Sequence, residues 1–268
     1  MKKIDQIEFN KKSHNQTASK YESLHTEIFN SVEQARLYEK LKEVKSLIKN
    51  NSGQQFTALD IGCGSGNLTR HLLEIGFLVT AGDVSEVFLE KINSNLPEAQ
   101  TLLLNGENLV NVPNDTFDLV VTYSVLHHIP DYEKMVGEMC RVLKPGGVLY
   151  IDHEHTENKW NGDDVLRDFY KAQSKYLFKG KWKRLLTLAF YINRVKRLFN
   201  PKYQAEGDIH VFPDDFIRWT KIKDVCREHG LTIVQEDRFL NYNSLYNDEI
   251  YKKYKNMTHD MGCMIAQK

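Results

Sequence analysis

A doubly wound, mostly parallel α/β sheet is what this sequence predicts, and three observations predict it. Residues 56–68 read as a short strand, a turn with glycines at alternate positions (Gly62, Gly64, Gly66) and the start of a helix carrying Leu68, Leu72 and Ile75. Further apolar runs up to residue 152 alternate with helical patterns, the order that builds a parallel sheet with helices on both faces. Asp60, Asp83, Glu107, Tyr123 and His153 stand at the ends of those runs, where open α/β sheets bind their ligands.

The glycine turn narrows the ligand. A dinucleotide fingerprint needs its third glycine where Asn67 stands, and a phosphate-cradling loop needs a lysine followed by serine or threonine, which the turn lacks. An acidic Asp60 two positions before the first glycine disfavours phosphate and favours an ammonium or sulfonium group.

Composition sets the outer bounds. At 268 residues and 41% hydrophobic, the chain has enough apolar side chains for one sizeable core with an appended subdomain. Lysine plus arginine (36) balance aspartate plus glutamate (36), so overall charge gives no support to a nucleic-acid partner. Cys63, Cys140, Cys226 and Cys263 are scattered without a CxxC pair, which argues against a disulfide framework or a structural zinc site. No apolar run approaches the roughly 20 residues of a membrane span. The basic start MKKIDQIEFNKKSHN lacks the apolar stretch of a secretory leader, so a cytoplasmic protein is expected.

Along the chain, residues 1–20 are polar and unpatterned and read as frayed or ordered only by contact with the rest. Val32, Leu37, Leu41, Val44 and Ile48 recur at helical spacing within 21–49, making one or two amphipathic helices that place Tyr21 and His25 as candidates to fold over a ligand mouth. A second strand (77–81) ends at Gly82-Asp83, about 20 residues beyond the turn, where a carboxylate can accept two hydrogen bonds from a ribose diol. Ser85 caps the next helix. A third strand (101–104) leads to Asn105-Gly106-Glu107-Asn108, a fourth (117–122) to Tyr123-Ser124, and a helix capped by Asp131 turns through Lys144-Pro145-Gly146-Gly147 into a fifth (148–152).

The stretches LDIGCGSGNLT, GDVS, FDLVVTYSVLHHI and RVLKPGGVLYI, in that order, resemble the successive motifs of class I S-adenosylmethionine-dependent methyltransferases. The resemblance covers about residues 55–155 and implies a Rossmann-like seven-stranded sheet that ends in an antiparallel pair, with S-adenosylmethionine as cofactor and S-adenosylhomocysteine as product. It implies that Asp60 and the turn of Gly62, Cys63, Gly64 and Gly66 hold the methionine portion. Asp83 with Val84 would hold the ribose, Glu107 or Asn108 would lie by the adenine, and Tyr123 would flank the cofactor. Where many members carry Gly-Asp and a small residue after the third strand, this chain has Gly106-Glu107-Asn108.

These features divide the chain into an N-terminal helical cap (1–50), a cofactor-binding core (51–155), a helical insertion (156–212) and a C-terminal helix with the last two strands (213–268). Between Arg167 and Lys202 eleven basic residues face the single acid Asp168, and apolar positions fall at helical spacing among them, so a basic amphipathic helix is expected. Insertions at this place in the family build a substrate lid. Its basic face, with Lys181 and Arg184, could be solvated, could bind an anionic acceptor, or could touch an anionic membrane surface reversibly. Pro213, followed by Asp214 and Asp215, suits the first turn of the next helix, and strands at 231–234 and 262–266 close the sheet.

Methyl transfer is an in-line displacement that rests on alignment, and an oxygen acceptor also needs a base, usually histidine near neutral pH. His153, His155 and His210 are the candidates, while His127 and His128 belong to the LHHI motif, for which a structural or donor-side role is expected. Asp152, His153, Glu154 and His155 could gather a metal only if a strand put them on one face, so no metal is expected. The reading is methylation of a small-molecule, glycan-like or lipid-linked acceptor, oxygen ahead of nitrogen or carbon. A non-catalytic S-adenosylmethionine-binding protein and an oxidoreductase with a degenerate dinucleotide turn are the alternatives, and no nucleic-acid motif follows the fourth strand.

Overall fold

The computed structural model describes residues 3–49, 53–181, 188–204 and 207–268. Three helices come first: α1 (Lys3–Thr17), α2 (Tyr21–Leu24) and α3 (Ser31–Leu47). The core alternates β1 (Thr57–Ile61), α4 (Asn67–Glu74), β2 (Leu78–Asp83), α5 (Glu86–Asn95), β3 (Gln100–Leu103), β4 (Phe117–Tyr123), α6 (Tyr132–Val142) and β5 (Leu143–His155). After it come α7 (Asn158–Asn161), α8 (Asp164–Lys181), α9 (Leu188–Phe199), the short strands β6 (Val211–Phe212) and β7 (Asp215–Phe216), α10 (Trp219–Glu228), β8 (Thr232–Phe239), α11 (Asp248–Tyr254) and β9 (Met261–Gln267).

Seven strands form one sheet in the order β3-β2-β1-β4-β5-β9-β8. Contacts from β3 through β5 are parallel, and β9 runs antiparallel to both β5 and β8. Strand order reverses between β1 and β4, so their carboxyl ends open the crevice in which such sheets bind ligands. Side-chain alternation splits the core in two. Leu59, Ile61 and Val120 face α6 and α10, whereas Ala58, Leu119 and Val121 face α3, α4 and α5. All seven residues of β4 are buried, as a central strand covered on both faces requires.

A polar network ties α3 to the sheet beneath the crevice. Arg36 donates to Glu33 (2.9 and 2.5 Å) and to Asp152 Oδ2 (2.8 Å), and its guanidinium lies 4.1 Å from the Phe239 ring centre. Tyr123 donates to Glu33 at 2.8 Å, and Tyr150 donates to Asp152. These carboxylates are buried, and the shared guanidinium offsets their desolvation.

Several sequence expectations are corrected. Of the two expectations for the first segment, order through contact with the rest is the one seen: residues 3–17 form a helix whose polar side chains are held by tertiary hydrogen bonds. Gln6 donates to Gly207 O (2.8 Å), Asn10 donates to His128 O (2.8 Å), and Ser85 Oγ bonds Asn15 Oδ1 (2.5 Å). Pro213 does not open a helix: it sits in the turn between β6 and β7, and the helix begins at Trp219. Among the described residues the basic stretch carries the helices α8 and α9, and Lys181's side chain and Arg184 lie outside what the structure describes. The fifth strand runs on to His155, with a register shift between Asp152 and Glu154 that leaves His153 as a bulge at φ 61°. No helix among the described residues is long and apolar enough to cross a membrane.

Candidate active site

The crevice is built by the turn after β1. Gly62 has φ 72°, and a Cβ there would lie 2.5 Å from the Val125 side chain, so only glycine lets the turn pass beneath the β4 exit. The N–H groups of Gly62 and Cys63 donate to Gly82 O at 2.8 and 3.0 Å, fastening the turn to β2. Asp83 at the tip of β2 accepts from Gly64 N (3.0 Å) and Ser85 N (2.8 Å) and still lines the cavity, leaving lone pairs for a ligand. Burial raises its pKa against those hydrogen bonds.

Two lobes meet at the turn. One is walled by Ile61, Val84, Phe88, Leu104, Ile129 and Met135, an apolar slot with Asp83 at its edge, suited to a purine and its sugar. The other is lined by Asp60, Cys63, Ser65, Asn67, Tyr21 and Tyr123. Asp60 is 1% exposed and accepts from Thr69 Oγ1 at 2.6 Å. Burial pushes its pKa up to about 7, with Thr69 opposing and the charge of Asp83 adding. In this lobe Ser65 Oγ and both polar atoms of the Asn67 amide are buried without a hydrogen-bond partner. Buried orphans of this kind signal a ligand's polar groups. An amino-acid moiety would satisfy them, so the chain's residues fit S-adenosylmethionine.

A third cavity adjoins the crevice. Tyr21, His14, Ser124 and His128 line both, and beyond them stand His25, Glu27, His127, His153, His155, Asp208 and Asn241. Six imidazoles and two carboxylates therefore share one chamber, with no lysine or arginine in its described lining. Burial pushes His14 down to about 4, with His25 and His127 adding to the shift, and burial also drives His128 and His155 well below the usual range. These three imidazoles are neutral at physiological pH and serve as proton acceptors or ligands, not as anion binders.

His153 is 2% exposed and stacks on Tyr123 with ring centres 4.7 Å apart. Its Nε2 lies 3.4 Å from Asn241 Oδ1, and its buried Nδ1 has no hydrogen-bond partner. Ser124 (φ 58°) and His153 (φ 61°), two non-glycine residues with left-handed backbones, both line the chamber, and such conformations cluster at functional sites. His155 lines it too, edge-on to Trp160. His210 lies elsewhere, bonded to Asp215 Oδ1 (2.6 Å) and Ile129 O (3.1 Å) in a separate surface pocket. The rings of His25 and Tyr21 lie 4.3 Å apart, tilted by 41°, at the junction of chamber and crevice, and His25 pairs with Glu27 at 2.9 Å.

Other expected contacts fall differently. Gly106 lines the crevice, whereas Glu107 and Asn108 are not among its described lining; Asn108 Oδ1 instead closes its own loop with Asn105 and Val110 N. Sequence reasoning missed Ile7, Asn10 and His14 of α1, which carry no apolar periodicity, and also Leu104 and Met135. The last two sat in recognisable elements, and their nearness to the switch point was the available signal.

The glycine turn after β1 and the aspartate after β2 fall within residues 59–151, which match the family model described as Methyltransferase domain. Its cofactor is S-adenosylmethionine. A ubiquinone biosynthesis O-methyltransferase of Coxiella burnetii is 32% identical over 97 residues, 35% of this chain and 41% of that protein. The chain spans about two fifths of the length of this relative and of a ubiquinone biosynthesis O-methyltransferase of Caulobacter vibrioides. An S-adenosylmethionine-dependent methyltransferase structure from Mesorhizobium loti aligns with TM-score 0.54 at 16% identity, over 85% of this chain and 97% of that one. The [4+2]-cyclase SpnF aligns equally well, with TM-score 0.54 at 15% identity over 87% and 80%, so the fold alone does not dictate the reaction.

Proposed function

We propose that the chain transfers the methyl group of S-adenosylmethionine to a hydroxyl oxygen of a small acceptor held in the histidine chamber, with His153 taking the proton. The observation that carries this is the buried, unpartnered Nδ1 of His153 beside Tyr123, at the join between cofactor crevice and chamber. When bound, the cofactor supplies an electrophilic methyl on a sulfonium. Asp60, Ser65 and Asn67 would hold its amino-acid end and Asp83 its ribose, while Tyr21 and His25 would close over the acceptor. A proton on Nε2 directed at Asn241 leaves Nδ1 with its lone pair for the acceptor's O–H. The name of the Coxiella relative supports oxygen as the accepting atom. The lack of lysine or arginine in the described lining, together with neutral imidazoles, favours an uncharged acceptor over an anionic one.

The test is S-adenosylhomocysteine formation by the full chain on a panel of phenols, catechols, hydroxylated sugars and amines. Turnover of hydroxyl compounds to methyl ethers is expected. Turnover of amines only, or none despite tight cofactor binding, overturns the proposal.

Asp60 gives a separate prediction for cofactor binding. A cation beside it favours the ionised carboxylate, and in the free protein that carboxyl titrates at about 7. Below that pH the proton must leave before the cation binds, so affinity falls as pH falls. By linkage, S-adenosylmethionine binding weakens roughly 20-fold between about pH 7.5 and 5.5. Calorimetry at several pH values reads this directly. Asp60→Asn should bind more weakly and lose most of the dependence.

A further inference from the structure

We propose that His127, His128 and Asp208 form a divalent-cation site in the wall of the chamber, a use to which the methyl-transfer reading puts none of them. Their donor atoms all lie within 4.8 Å of one another, with His128 Nδ1 3.3 Å and His127 Nε2 4.0 Å from Asp208 Oδ1. Two ligands that share one ion at roughly 2.0 to 2.2 Å lie about 3.0 to 3.6 Å apart, so the His128–Asp208 pair is already at ligand spacing and the other separations must close on the ion by side-chain rotation.

Adjacent histidines seldom point at one spot along a strand, but these two occupy a single 3₁₀ turn (Leu126–His128), where the backbone curls and both rings face the incoming segment. Asp208 belongs to that segment, which is pinned in place: Ile209 N and His210 N both donate to His127 O at 3.1 Å, and Gly207 O accepts from Gln6. The carboxylate thus reaches the imidazoles on a fixed backbone.

A second and independent observation lies behind His127. Glu154 Oε2 sits 2.8 Å from His127 Nδ1, while its Oε1 accepts from Val125 N (2.9 Å) and Leu126 N (2.7 Å). A carboxylate so fully engaged holds the proton on Nδ1 and fixes the ring with Nε2 toward Asp208. Carboxylate–histidine–metal relays orient their ligands in this way. The buried Nδ1 of His128 makes no hydrogen bond among the described residues, although Asp208 Oδ1 lies 3.3 Å away.

Two imidazoles and one carboxylate on one side, with the remaining positions open to a cavity, is the donor set of a facial triad for borderline divalent ions such as Fe(II), Co(II) or Zn(II). The open positions face the chamber in which the acceptor is proposed to sit. An acceptor with two neighbouring oxygens would chelate the ion there, which would orient its hydroxyl and make it more acidic.

The experiment is metal binding by the full chain, stripped with chelator and titrated with Co(II) alone, read by visible absorption and calorimetry. Uptake of one equivalent with d–d bands is expected, and Asp208→Asn and His128→Asn should each weaken it at least about tenfold. Glu154→Gln, which keeps its shape and one acceptor oxygen, should weaken it about 10- to 100-fold. Circular dichroism and thermal melting, which do not depend on the crevice that His128 lines, report that each variant is folded. No saturable uptake by the parent chain, or equal uptake by parent and folded variants, overturns the proposal. Neither result depends on whether an acceptor is methylated, so failure here is distinguishable from failure of the methyl-transfer reading.

Discussion

Replacing His153 with asparagine is expected to slow methyl transfer to a hydroxyl acceptor by about 10²- to 10⁴-fold, the usual worth of a positioned general base, while S-adenosylmethionine binds as before. Asparagine is the informative choice because residue 153 has φ 61°, a conformation that asparagine tolerates better than almost any residue except glycine. The bulge in β5 therefore survives, the stacking on Tyr123 is reduced to an amide contact, and what goes is the basic nitrogen. Because the base acts only on the acceptor's proton, kcat should carry the loss and the cofactor's KM should hardly move. The same change in His210, which is hydrogen-bonded outside the chamber, should leave turnover near that of the parent. A variant of His153 that retains more than about a third of the parent rate would show that no proton passes through this side chain in the rate-limiting step.

The second large effect falls on cofactor affinity. Asp83→Ala is expected to weaken S-adenosylhomocysteine binding by roughly 10²- to 10⁴-fold, since two charge-assisted hydrogen bonds to a ribose diol contribute about 1.5–3 kcal/mol each. Part of the loss would come from the turn itself, because Asp83 also accepts from Gly64 N and Ser85 N. Asp83→Asn gives up the charge and one of the two oxygens that hold the turn, so the sugar contribution is read from a ligand analogue and not from the variant alone. Calorimetry with S-adenosylhomocysteine and with its 2′-deoxy analogue completes a double-difference cycle. In the parent the missing hydroxyl should cost at least about tenfold, and in Asp83→Asn most of that penalty should vanish. If the penalty is the same in both proteins, the ribose does not rest on this carboxylate.

How much of this was visible in the chain itself depends on what fixed each residue. Asp60, the glycine turn and Asp83 were legible because local geometry dictates them: a strand, a turn that tolerates only glycine beneath Val125, and a carboxylate one strand over. The sheet was legible too, since the strands covered on both faces read as apolar runs and the helices between them as amphipathic ones. The chamber was not. It is assembled from α1, the residues after β4, the end of β5 and the segment before β6, and no spacing along the chain brings His14, His127, His153 and Asp208 together. Alternation along β5 would have put Asp152 and Glu154 on one face and His153 on the other, but the bulge breaks that period. α1 escaped detection because polar side chains buried at Gln6 and Asn10 hold it, and a hydrophobic pattern does not. Pro213 misled for a related reason: proline followed by aspartates serves a tight hairpin as well as a helix start.

The placement of α1 has a kinetic corollary. Ile7, Asn10 and His14 form part of the crevice wall, and polar tethers to Gly207, His128 and Ser85 help to attach the helix that carries them. Such tethers trade readily with water, so this wall is cheaper to displace than one sealed by packed aliphatic side chains. Donor arrival and spent-donor departure would then be timed by the docking and undocking of the chain's first two dozen residues, and shortening the protein from that end should alter residence times before it alters the chemistry of the step itself.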